Sequence, residues 1–145
     1  MDFWIPVAES AHSIAAVSNH QRSLGSLTLI SKRHCGTIAE LPPVEAVDLH
    51  RMMRLLNAAI DRAYDPDGIN VWQGGRLPAG GRLPHIHVHL CPRYAGKEYS
   101  YVVNEDLRLP PVEEREEIAR RIRAEVEQLQ SQFIEPLAGS RPGGR

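Results

Sequence analysis

Apolar and polar positions alternate or recur along the chain in two distinct periods. His12–Ser18 (HSIAAVS) and the run opened by Gly25 (GSLTLISK) have the short, apolar character of strands, joined by the polar connection Asn19–Leu24. Pro42 and Pro43 then mark a helix start, because proline's fixed φ suits a first turn. From Val44 to Tyr64 the apolar residues Val44, Val47, Met52, Leu55, Leu56, Ala59, Ile60 and Ala63 recur at helical spacing, with Arg51, Arg54, Asp61 and Arg62 between them. Asp65-Pro66-Asp67-Gly68 is a turn, since Pro presets φ and Gly accepts positive φ. Ile69–Gln73 (INVWQ) predicts a strand, Gly74–Pro84 (GGRLPAGGRLP) a loop, and His85–Cys91 (HIHVHLC) a strictly alternating strand closed by Pro92. A short strand is expected over Tyr99–Val103. A second helix is expected over Val112–Phe133, with Ile118, Ile122, Val126, Leu129 and Phe133 on one stripe and a charged face that reads as solvated, Glu113 to Arg123. Phe3, Trp4 and Pro6 show no clear period.

Strands that follow one another mostly without an intervening helix favour an antiparallel sheet, so the expected fold class is α+β with one long helix and a C-terminal helix. The 145 residues suit one domain, residues 1–137, with 138–145 as a loose tail. Seventeen Lys+Arg against eighteen Asp+Glu give a net charge of -1, which argues against a general nucleic-acid binder. No apolar run approaches the ~20 residues of a membrane span. The start, MDFWIPVAES, has no signal-peptide core, and the two cysteines, Cys35 and Cys91, form no CxxC pair; a cytoplasmic location is expected.

The histidine strand carries the chemistry. His85, His87 and His89 occupy alternate positions, so their imidazoles share one face, about 6.6 Å apart along the strand. Ile86, Val88 and Leu90 take the other face and can be buried. Three stacked imidazoles are hard to satisfy as plain core, because each neutral ring needs both a donor and an acceptor partner. Two functional readings remain: a metal site, since imidazole is a common ligand and Cys91 shares the face by strict alternation, and covalent catalysis, in which one ring attacks an electrophile. Between Gly68 and Lys97 there is no acidic residue, whereas Arg76, Arg82, Arg93 and Lys97 form a positive patch beside the glycine-rich loop Gly74, Gly75, Gly80 and Gly81. That combination favours catalysis on a phosphate. The loop lacks GxxxxGK[ST] and is not a P-loop.

The string Pro84-His85-Ile86-His87-Val88-His89-Leu90-Cys91-Pro92-Arg93 resembles the signature of the histidine-triad superfamily, in which three histidines alternate with apolar residues. Gly25–His34 resembles that family's strand ending in a Lys-Arg-His corner, and Gly68–Gln73 the strand that feeds the site. Pro92-Arg93-Tyr94-Ala95-Gly96 followed by a helix resembles the branch of the fragile histidine triad and dinucleoside polyphosphate hydrolases. The resemblance implies a nucleotide hydrolase or transferase, with His87 attacking the α-phosphorus to form a nucleotidyl-histidine intermediate. It implies that His89 hydrogen-bonds phosphate oxygens and the departing group, that His85 orients the site, and that Gln73 contacts the bridging oxygen or leaving group. Gly80 and Gly81 would line the phosphates, and Asn19 would bind ribose, within one residue of register. A small-molecule nucleotide substrate and a homodimer are implied; the sequence requires no cofactor, and a divalent cation can accompany a polyphosphate substrate.

The sequence departs from the pattern at several points. Ser26 stands where many relatives carry a histidine, Gly81 replaces a frequent Gln, Ser31 replaces a Pro, and the loop from Gln73 to His85 is slightly expanded. A non-catalytic nucleotide sensor and a nucleoside phosphoramidase therefore stay open beside the hydrolase, with a metal-binding module as the remaining alternative. His12, His20, His34 and His50 read as structural or surface residues, and Trp72 as core.

Overall fold

A computed structural model describes residues 4–74, 85–97 and 109–134. Five strands, β1 (Ile5–Glu9), β2 (Ser13–Val17), β3 (Leu27–His34), β4 (Gly68–Gln73) and β5 (His85–Arg93), form one sheet in the order β1-β2-β3-β5-β4. Every neighbouring pair is antiparallel. Helix α1 (Pro43–Tyr64) follows a short 3-10 turn at Ile38–Glu40, and helix α2 (Val112–Ile134) closes the described chain. The expected α+β class is observed.

The two periods explain the arrangement. Leu27 and Leu29 of β3 and Ile86, Val88 and Leu90 of β5 turn to one side of the sheet. They are buried there in a single cluster with Met52, Leu55, Leu56, Ala59 and Ile60 of α1 and Ile118, Ile122, Val126 and Leu129 of α2. Each such side chain removed from water contributes about 2 kcal/mol, so this side of the sheet is fixed by hydrocarbon burial alone. Residues of the opposite parity on β5, the three histidines among them, are thereby directed to the other side. Proline starts α1 as expected, and Asp65, in the left-handed conformation (φ 44°), ends it with its amide donating to the Asp61 carbonyl.

Several boundaries differ from the sequence expectation, each for a physical reason. The N-terminal segment forms β1, an edge strand of only two buried positions, Ile5 and Val7, too few to reveal a period. Pro6 is tolerated there because an edge strand can lose one ladder donor. Strand β5 runs through Pro92 to Arg93. Pairing with β3 ends at Leu90, opposite Leu27, so beyond that point only β4 needs hydrogen bonds from β5. The expected strand at Tyr99–Val103 and the tail 138–145 lie outside the described residues. The face of α2 read as solvated is partly structural: Arg115 is buried and its Nη1 donates to the Asn19 side-chain oxygen at 2.8 Å. Arg121 lies over the Tyr64 ring and donates to the Ala63 carbonyl.

Candidate active site

The site is built on the centre of the sheet. Ile30 of β3 lies opposite His87, Thr28 opposite His89, and on the other side Trp72 of β4 lies opposite His89. Cross-strand partners share a face, so Thr28, Ile30 and Trp72 surround the imidazoles on the side away from the helices. His87 is 8% exposed, while His85 and His89 are half-buried.

Hydrogen bonds fix the tautomers of two rings. His87 Nδ1 lies 3.3 Å from the carbonyl oxygen of His85. A carbonyl can only accept, so Nδ1 carries the proton and the neutral ring keeps its lone pair on Nε2. His85 follows the same rule: its Nδ1 donates to the Ser31 carbonyl at 3.0 Å, and its ring lies 5.4 Å from that of His34. His34, read from sequence as structural or surface, is therefore a neighbour of the triad. The register brings it there, since a bulge in the β3–β5 pairing leaves His34 opposite His85.

His87 and His89 meet edge to face, with ring centroids 5.1 Å apart at 89°. Trp72 stacks on His89, with centroids 5.1 Å apart and 30° between planes, and the Arg22 guanidinium sits 5.4 Å from the Trp72 ring. Burial above all, then His87, then Arg22, pushes the His89 pKa down from 6.5 to about 4. Trp72 was expected in the core; it is a half-buried wall of the site. The stack arises because β4 is the edge strand beside β5, and neither Trp72 nor Arg22 carries a sequence signal for it.

The remaining expected site residues are distributed as follows. Gln73 pairs with Val88, so its backbone position has the parity of the helix side of the sheet. Its Nε2 is buried with no hydrogen-bond partner among the described residues. Asn19 begins the connection that carries Arg22, and its side-chain oxygen is held by Arg115. Gly80 and Gly81 lie outside the described residues, as do Arg76 and Arg82 of the expected positive patch. Arg93, also expected there, is 5% exposed and its Nε donates to Asn70 at 2.7 Å, so it braces β4 against β5. Ser26 Oγ donates to the Ser23 carbonyl at 2.8 Å and lies 3.0 Å from the buried Cys91 Sγ, so a hydroxyl–thiol contact fills the space beneath the triad's far end. Among the described residues, no group of three or more His, Cys, Asp or Glu is arranged to hold a metal ion. Nor is any helix among them long and apolar enough to cross a membrane.

Known proteins resemble this arrangement. A bis(5'-nucleosyl)-tetraphosphatase (asymmetrical) of Schizosaccharomyces pombe is 29% identical over 69 residues, covering 48% of this chain and 38% of that enzyme, so the match spans well under half of the enzyme's length. An uncharacterised HIT-like protein of Methanocaldococcus jannaschii is 26% identical over 105 residues, covering 70% of this chain and 81% of its own. In fold, the chain is similar to a hypothetical histidine triad nucleotide-binding protein of Sulfolobus tokodaii, with a TM-score of 0.78 at 23% identity, covering 94% of this chain and 93% of that one. The family model for the HIT domain matches residues 6–96, from the first strand through the imidazole strand and the turn beyond it. Alternating imidazoles on an interior strand of a five-stranded antiparallel sheet, with the family model matching residues 6–96, place this chain in the histidine-triad (HIT) family.

Proposed function

We propose that the protein hydrolyses a phosphoric anhydride at the α-phosphate of a nucleotide, with His87 as nucleophile and a dinucleoside polyphosphate as the substrate class. The observation that carries the reading is the His87 tautomer. With Nδ1–H held by the His85 carbonyl, Nε2 presents its lone pair to an approaching phosphorus. In the first step the Nε2–P bond forms as the P–O bond to the leaving phosphate breaks, and the electron pair departs with that oxygen. The ring becomes an imidazolium whose Nδ1–H still points at the His85 carbonyl, which stabilises the charge. In the second step water attacks the same phosphorus and loses a proton to solvent, the P–N bond breaks, its electron pair returns to Nε2, and the mononucleotide leaves. Two displacements replace one difficult hydrolysis.

The environment of His89 supports an anhydride over a phosphoramidate. With its pKa near 4, His89 is neutral at pH 7 and acts as a hydrogen-bond donor more readily than as a proton donor. A phosphate leaves as a stable anion without protonation, whereas an amine requires a proton to depart. The tetraphosphatase among the similar proteins and the Plasmodium falciparum diadenosine triphosphate hydrolase among the fold neighbours are consistent with this substrate class. The family resemblance assigns the bridging oxygen or leaving group to Gln73, the ribose to Asn19 and the phosphates to Gly80 and Gly81; Gln73 ends β4 with the parity of the helix side, so this role needs its side chain to reach round the strand end. A homodimer is part of the same reading: among the described strands β4 lies at the edge of the sheet, where its outer backbone groups can pair with a second copy.

Incubation with diadenosine tri- and tetraphosphate is expected to release AMP, and His87→Ala is expected to slow release by at least about 1,000-fold. Equal background rates in parent and variant, or no AMP from these anhydrides, would overturn the hydrolase reading. Turnover confined to adenosine phosphoramidate would transfer the chemistry to the phosphoramidase class.

A further inference from the structure

Two of the three imidazoles are pinned by backbone carbonyls, and the third is held differently. His85 Nδ1 donates to the Ser31 carbonyl and His87 Nδ1 to the His85 carbonyl, whereas no hydrogen bond among the described residues holds the His89 ring. Packing fixes its plane instead. His87 meets it at 89°, and Trp72 stacks on it with centroids 5.1 Å apart and 30° between planes.

The register makes that cover specific. Strand β4 sets Trp72 directly opposite His89, and β3 sets Thr28 there from the other side. The Thr28 hydroxyl is already engaged, 2.8 Å from Ser18 Oγ. Directly opposite residues are the nearest same-face neighbours across a sheet, so the indole is the larger of the two surfaces offered to the imidazole. The χ2 torsion of a histidine is broad, and without a hydrogen bond to select its angle an aromatic face is what narrows it. Of the charged and titratable groups around His89, His87 stands on its own strand and Arg22 in the β2–β3 connection, and both disfavour its protonated form; β3 and β4 bring the uncharged Thr28 and Trp72. Burial is the largest cause of the low His89 pKa, and Trp72 supplies that burial from the β4 side.

We propose that Trp72 is a positioning residue for His89: its ring face holds the imidazole plane across that of His87 and keeps water from it, so that His89 meets the phosphate already oriented. This role in the reaction rests on the nucleotide reading above.

The test follows the His89 ring by NMR in the full chain, in Trp72→Leu and in Trp72→Phe, with His89→Gln to assign its signals, beside AMP release from diadenosine triphosphate. In the parent, the His89 ring protons should lie upfield of ordinary histidine positions, displaced by the indole ring current, and the ring should titrate near 4. In Trp72→Leu the upfield displacement should vanish, the titration midpoint should rise toward 6.5, and AMP release at pH 7 should fall about 10- to 100-fold. Trp72→Phe, which restores an aromatic face, should recover most of both. Ring protons at ordinary positions in the parent would overturn the assignment without any variant. So would an unchanged titration in Trp72→Leu, or a Trp72→Phe no better than Trp72→Leu. Full AMP release by Trp72→Leu would reduce the contact to packing and overturn the role. A parent that releases no AMP would overturn the hydrolase reading, while the ring protons and the titration would still decide whether Trp72 positions His89.

Discussion

Removing most of the water around an imidazole and setting a second imidazole edge-on to it disfavours the protonated ring, and His89 is in that position. Its pKa falls from 6.5 to about 4, with burial the largest cause, followed by His87 and Arg22. Thr28 from β3 and Trp72 from β4 flank it, and neither supplies a counter-charge. In the unfolded chain the same ring takes up a proton as pH falls through 6.5, while the folded ring does not until about 4. Stability associated with the neutral ring is therefore complete above pH 6.5 and is lost progressively between 6.5 and 4, by about 3 kcal/mol in all. Carboxylates also titrate toward the lower end of that window, so the informative comparison is parent against His89→Gln. Between pH 7 and pH 5 the parent should lose about 2 kcal/mol more than the variant, read from urea midpoints. Identical pH dependence in the two proteins would contradict this account of His89.

At the scale of elements, the connection that positions Arg22 depends on one backbone position. Gly25 has φ +95°, a conformation that L side chains rarely adopt, and a Cβ there would sit 2.9 and 3.0 Å from Tyr64 ring carbons and 3.3 Å from Pro92. Tyr64 ends α1 and Pro92 lies in β5, so both neighbours are held by their own elements. Gly25→Ala should cost about 2 kcal/mol or more, from backbone strain and the close contact together, and shift the urea midpoint downward. A midpoint unchanged from the parent would show that the connection relaxes freely. The two helices and the strands of the sheet's centre were legible because many residues repeat each period: eight apolar positions mark α1, and three histidines alternating with Ile86, Val88 and Leu90 mark β5. Strand β1 was not legible, since two buried residues around a proline make no period. Pro92 was read as a terminator because the loss of a partner strand beyond Leu27 is a property of the sheet, not of the local sequence.

For the molecule as a whole, the legible part of the site is the part confined to one strand. Alternation alone directs His85, His87 and His89 to one face. The partners of those rings come from elsewhere: His34 and the Ser31 carbonyl from β3, Trp72 from β4, and Arg22 from the β2–β3 connection. Which of them reaches which imidazole is decided by strand order and by a bulge, neither of which is written in a local motif. Long-range register likewise buries Arg93, expected in a positive patch, against Asn70. The fold therefore divides the sheet into a hydrocarbon side that stabilises and an imidazole side, where the His85 carbonyl accepts from His87 Nδ1 and leaves the lone pair on Nε2, the nitrogen to which the proposed function gives the attack.

That attack predicts a covalent intermediate. The direct measurement is intact-protein mass after brief, cold exposure to a diadenosine polyphosphate, followed by rapid acid-free quenching. A fraction of the parent protein is expected to gain one adenylyl group, localised by peptide mapping to His87 and absent in His87→Ala. Turnover without any adduct at His87, or an adduct that persists in His87→Ala, would contradict the assignment of the nucleophile.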